Sequence, residues 1–98
     1  MDSKIILGRI LQRFIDTEIA QVAGYNQFGF IKLSKNSVVV SRERDTIVPF
    51  SKIIIGIETY QKAPDLYEKG PTVLRAVGIT HVTSPVFALL HLLLKSDY

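Results

Sequence analysis

The stretch Gly29–Ile57, GFIKLSKNSVVVSRERDTIVPFSKIIIGI, decides how the chain is read. From Phe28 to Leu33 apolar and other residues alternate: Phe28, Phe30 and Lys32 fall on one face, Gly29, Ile31 and Leu33 on the other. Period-two alternation marks a strand with one buried face. Ser34-Lys35-Asn36-Ser37 supplies turn residues whose short polar side chains bond their own backbone. Val38-Val39-Val40 is β-branched throughout and favours a pleated surface, and Arg42-Glu43-Arg44-Asp45 reads as a charged hairpin tip. Ile47-Val48 resumes the sheet until Pro49, which cannot donate to a ladder. After a one-turn connector at Ser51-Lys52, Ile53–Ile57 reads as a last strand with a bend or bulge at Gly56. Short strands with short connections predict a meander that curls to bury its apolar face.

Outward from that stretch, the N-terminal segment changes period. Ile6, Leu7, Ile10, Leu11, Phe14 and Ile15 recur at three- and four-residue spacing behind Ser3, a candidate N-cap, predicting an amphipathic helix with a basic outer face. Thr17–Ala23 reads as a first strand, and Gly24-Tyr25-Asn26-Gln27 as a turn in which Gly24 and Asn26 can take positive φ. Beyond Tyr60 the breakers Ala63-Pro64-Asp65 and Gly70-Pro71 mark the end of the β-rich region. A short helix is expected from Pro71 through Val77, ended by Gly78, and a last one from Pro85 to about Lys95 behind Ser84. That last helix is apolar nearly all round, which in so small a protein makes a partner subunit the natural cover. The fold class expected is α+β, mainly β: residues 1–60 form an N-terminal helix plus a five-stranded antiparallel small barrel, and residues 61–98 a helical C-terminal extension.

Composition narrows the function classes. The 98 residues carry no cysteine, so stability comes from apolar packing or from oligomerisation. A net charge of +3 is a mild basic bias, concentrated between Lys32 and Lys52. No segment approaches the ~20 apolar residues needed to span a bilayer, and the N-terminus lacks the features of a signal peptide, so a cytoplasmic location without membrane contact is expected. His81 and His91 stand at no metal-ligand spacing with cysteine or carboxylate, so no metal and no cofactor is expected. No glycine-rich phosphate loop, serine elbow or cysteine nucleophile appears, and the chain reads as non-enzymatic.

The order of these parts resembles the Sm-like fold, and the bacterial Hfq branch in particular, over residues 4–58. Gly29-x-Ile31-x-x-Ser34-x-x-x-Val38-Val39-Val40 has the spacing of that family's first motif, and Val48-Pro49-Phe50-Ser51-Lys52-Ile53 stands where its second motif ends the fourth strand and begins the fifth. The family's aspartate is Lys35 here, and its RNA-contacting Tyr-Lys-His or Arg-Gly pair is replaced by Pro-Phe-Ser-Lys. The resemblance implies homo-oligomeric rings closed by pairing strands four and five of neighbouring subunits. It also implies single-stranded RNA at a basic rim of Ser34, Lys35, Asn36, Phe50 and Lys52, with Arg42 and Arg44 of the charged hairpin adding cations. Each residue also has a structural reading: Phe50 as core, Ser34 and Asn36 as turn formers, the lysines as solvated. A Val-Pro-x-x-x-Ile phrase is shared with PRC-type barrels, so the alternative is a structural or protein-interaction module without a nucleic-acid role. Its partner would meet the apolar C-terminal helix.

Overall fold

In the computed structural model, which describes residues 1–98, helices outweigh strands. Helix α1 (Ser3–Thr17) leads into β1 (Ile19–Ala20), β2 (Phe28–Leu33), β3 (Ser37–Ser41) and β4 (Asp45–Pro49). Then follow α2 (Phe50–Lys62), a 3-10 turn (Pro64–Glu68), α3 (Thr72–Arg75), α4 (Thr83–Leu90) and a final 3-10 turn (Lys95–Asp97). The four strands form one open antiparallel meander in the order β1-β2-β3-β4. The five-stranded closed barrel expected from the sequence is therefore not formed, and ring closure between a fourth and a fifth strand has no fifth strand to use.

The reason lies in Ile53–Ile57. Five residues rich in isoleucine read equally as a strand or as a piece of buried helix. Extending the window to Tyr60 separates the two: Ile53, Gly56, Ile57 and Tyr60 are the buried residues of α2, spaced three and four apart. Pro49 makes the switch local. Its φ of −63° and ψ of 138° place it outside the helix, and Phe50 begins the first turn. Gly56 is thus no strand bulge; it lies where α2 meets α4, and a Cβ built there would come within 2.7 Å of the Leu90 side chain.

Helix α1 begins at Ser3, the residue predicted to cap it. Asp2, not Ser3, caps it, its carboxylate accepting from the Lys4 N–H at 2.7 Å. The helix ends where Glu18, in the left-handed region with φ 63°, donates its N–H to the Phe14 carbonyl. Ile6, Leu7, Ile10 and Phe14 face inward, and Phe14 meets Phe30 of β2 edge to face. The predicted first strand shrinks to Ile19 and Ala20, and Gly24 takes φ 85° in the turn that follows.

Helix α4 lies at the centre of the molecule. Val86, Phe87, Ala88, Leu89 and Leu90 are all buried, joining α1, α2 and the inner faces of β3 and β4 in one hydrophobic cluster. The cover that the sequence reading sought in a partner subunit is supplied by the chain itself. Leu74 and Ile79 complete the cluster around it. The helix stops at Leu90 rather than Lys95, so its apolar circumference is short enough for one small chain to enclose.

The α2–α4 contact generates a testable coupling. Leu90→Ala alone should cost about 2–5 kcal/mol by leaving a cavity. Gly56→Ala should cost about 1 kcal/mol net, because overpacking of ~1–3 kcal/mol outweighs a helix-propensity gain of ~1 kcal/mol. Combined, the two changes should cost clearly less than their sum in urea unfolding, since the added methyl occupies space that leucine vacates. Additivity within about 0.5 kcal/mol would contradict the packing described.

Candidate functional site

The residues expected to form a basic rim are divided by the fold. Ser34, Lys35 and Asn36 make the β2–β3 turn, closed by the Ser34 N–H to the Ser37 carbonyl at 2.8 Å. Phe50 is brought beside them, its N–H donating to the Asn36 carbonyl at 2.9 Å. Its ring is half-buried and packs against the hydrophobic cluster. The Lys52 ammonium, on the first turn of α2, donates to the Gly78 carbonyl at 3.2 Å. Arg42 and Arg44 lie beyond the opposite end of β3, about 17 Å away by the rise of a five-residue strand. Five of the seven residues therefore gather at one end of the sheet, and the two arginines flank the other.

Between those ends lies a surface that sequence reasoning missed, the face of the sheet turned away from the helices. Val38, Val40 and Val48 point into the core with no exposure, so their neighbours Val39 and Ile47, paired across β3 and β4, lie on the other face, where Val39 is only 7 % exposed and Ile47 stands open. A register shift between Phe30 and Lys32 makes Ile31 an extra residue, and Lys32 rather than Ile31 pairs with Val39. Strict alternation had placed Lys32 on the Phe30 face; the bulge moves it to the outer one. No helix covers this face. Ile47 is 64 % exposed, Ile19 45 % and Ile31 38 %, with Gly29, Ser37 and Ser41 the small residues between them. A one-sided antiparallel sheet ordinarily turns polar residues to water, so isoleucines there are the informative departure. The signal present in the sequence was Ile47, apolar on both sides of its own alternation.

The edge of the sheet is guarded. The Phe50 N–H bond to Asn36 and the Arg42 N–H bond to the Arg44 carbonyl set the phase of the β3–β4 ladder. Alternation then turns Val48 and Thr46 toward β3 and leaves Asp45, Ile47 and Pro49 on the open side. Pro49 has no N–H to offer, so only two outward donors remain on that edge.

A second concentration of polar chemistry lies around His91, whose ring meets Tyr60 and Tyr67, with Tyr98 packed on both tyrosines. Tyr67 stacks on His91 with ring centroids 4.1 Å apart, and Tyr60 lies edge-on to Tyr67, His91 and Tyr98. The polar atoms are spent on the backbone. The Tyr67 hydroxyl donates to the Leu93 carbonyl at 2.6 Å, and the Tyr98 hydroxyl donates to the Leu90 carbonyl. The His91 ring nitrogens lie 2.9 Å from the Phe87 and Tyr67 carbonyls. This network pins the C-terminal residues to the 3-10 turn and presents no nucleophile beside a base. The Tyr60 hydroxyl is the exception, fully buried without a partner. Burial raises the Tyr60, Tyr67 and Tyr98 phenols above their ordinary value, and the neighbouring tyrosines or Asp97 add to the effect. A hydrogen bond from Lys95 at 2.6 Å lowers the Glu68 carboxyl at the rim of this region.

No three His, Cys, Asp or Glu side chains come together in a group that could hold a metal ion, and no helix is long and apolar enough to cross a membrane. Comparison with protein-family models, with curated proteins and with solved structures found no match.

Two outcomes test the tyrosine cluster. Tyr60→Phe should leave stability unchanged or raise it by about 1 kcal/mol, because it removes an unpaired buried hydroxyl and keeps the ring. Tyr67→Phe should instead lose about 1 kcal/mol, since the Leu93 carbonyl forfeits its donor. A loss for Tyr60→Phe as large as that for Tyr67→Phe would show that Tyr60 has a partner. The second outcome concerns pH. Unfolded phenols ionise near 10.0, whereas burial keeps the folded ones neutral to higher pH. Above pH 10 the folded chain binds more protons than the unfolded one, so stability falls as pH rises. The melting temperature should drop steeply above pH 10 and less steeply in Tyr60→Phe; equal slopes in both proteins would contradict the assignment.

Proposed function

We propose that the chain is a non-enzymatic protein-docking module whose working surface is the outer face of its sheet. One observation carries this reading: Ile19, Ile31 and Ile47 lie outside the hydrophobic cluster and are 45 %, 38 % and 64 % exposed on the outer face of the sheet, beside a Val39 that is only 7 % exposed. Isoleucines exposed together on one uncovered sheet face are costly to leave in water and are characteristic of an interaction site. The apolar C-terminal helix, the docking surface suggested by the sequence alone, offers no such face because its side chains fill the core.

Single-stranded RNA at the β2–β3 turn is the competing reading, favoured by the exposed lysine at position 35 and the two arginines at the far hairpin. RNA recognition of that kind draws on aromatic faces free to stack bases. Phe50 packs against the core, Phe30 packs on Phe14, and Tyr25 packs on Phe87, so the outer face carries no free ring. The docking reading is therefore preferred.

Ile47→Glu should fold with a melting temperature within a few degrees of the parent, since its side chain is mostly in water. It should also abolish binding of an apolar fluorescent dye to the folded protein. Short U- or A-rich RNA should show no retention at about 50 mM salt. Salt-sensitive RNA binding that survives Ile47→Glu would overturn this reading in favour of the other.

A further inference from the structure

The outer face is a docking surface only if something fits it, and its dimensions, edge and charges narrow the choice. We infer that its occupant is an amphipathic α-helix of another protein, apolar along one stripe and acidic along its flanks. The inference rests on the docking reading above and adds the chemistry of the partner.

Shape comes first. Strands β2 to β4 span roughly 14 Å across at ~4.8 Å spacing and about 17 Å along their length. A helix with its side chains is ~10–12 Å in diameter, and three turns run ~16 Å. One such helix would lie over Ile47 and reach Ile31. Strand addition is the less suited mode. The open edge of β4 has only the Asp45 and Ile47 N–H groups turned outward before Pro49 ends the ladder. A second copy of the chain is also less suited. An isologous pairing would set Lys32 and Lys35 of one copy against the same basic surface of the other.

Charge decides the flanks. Lys32 sits among the apolar residues, Lys35 stands at one end of the strands, and Arg42 and Arg44 stand at the other. Against these four cations the same region holds two carboxylates, Glu43 and Asp45. None is in an ion pair; the one salt bridge joins Lys95 to Glu68 on another part of the molecule. A like-charged copy is repelled at Lys32 and Lys35, whereas carboxylates along a helix whose apolar stripe lies on Ile31 and Ile47 meet those two cations; at the hairpin end Glu43 and Asp45 offset Arg42 and Arg44. Rim charges of this kind select the partner and speed its arrival more than they tighten the complex.

The test uses two synthetic helical peptides with one shared leucine stripe, flanked by glutamates in one and by lysines in the other. Each is titrated into the isotope-labelled full chain while amide shifts are recorded. The glutamate peptide should perturb the amides of Val39 and Ile47, and should bind about tenfold more tightly than the lysine peptide, the worth of a few exposed ion pairs. The preference should shrink with added salt, fall in the double variant Arg42→Glu/Arg44→Glu, and disappear with all binding in Ile47→Glu. Equal or tighter binding of the lysine peptide would overturn the inference and leave the docking face standing. So would a concentration-dependent dimer that buries Ile47, or protection of β4 edge amides by an extended acidic peptide. If neither peptide nor self-association perturbs Ile47, and dye binding is the same in Ile47→Glu as in the parent, the docking reading fails as well.

Discussion

The approach of Leu90 to Gly56 is the constraint around which the molecule is arranged. A hydrogen side chain on α2 lets α4 come close, and a Cβ built there would lie 2.7 Å from the leucine. The two helices then form a spine with Ile53, Ile57 and Tyr60 on one side and Val86–Leu90 on the other. Helix α1 and the inner sheet face close over that spine, Phe14 against Phe30. Three helices and one sheet face suffice to bury the apolar residues of a chain without disulfides. The same economy leaves the other sheet face with nothing to cover it.

Local signals in the sequence carry much of this. The three- and four-residue spacing of Ile6, Ile10 and Phe14 gives α1, and the valine run and its two turns give β3 between its neighbours. Ile53–Ile57 was legible only through residues further on. Its β-branched composition points to a strand, and the helical stripe emerges when Tyr60 is included. That is tertiary packing overriding local propensity, and the fifth strand, the barrel and the ring all depended on it. Helix α4 was legible as a helix but not as a core element, because an all-apolar circumference says that cover exists without saying whose.

The candidate site divides the same way. The turn Ser34-Lys35-Asn36 forms where the sequence places a turn, and Phe50 comes beside it. Arg42 and Arg44 were grouped with these residues through a family resemblance, and the length of β3 separates them. The outer face was hidden by two features: the bulge at Ile31, which changes the phase of Lys32, and α2, which removes the strand expected to close the sheet. The tyrosine–histidine cluster was hidden too, because residues 60, 67, 91 and 98 meet only through the docking of the C-terminal turn. Polar chemistry in that cluster holds the C-terminal residues to the rest of the chain.

The fold turns on residues 50–62 being helical and on which element they face. Backbone carbon chemical shifts over that segment, read together with nuclear Overhauser contacts of Gly56, test both points in one experiment. Helix-type shifts are expected from Phe50 to Lys62, with contacts from the Gly56 α-protons to the Leu90 methyls. Strand-type shifts at Ile53–Ile57 with cross-strand contacts to a neighbouring strand would contradict this fold.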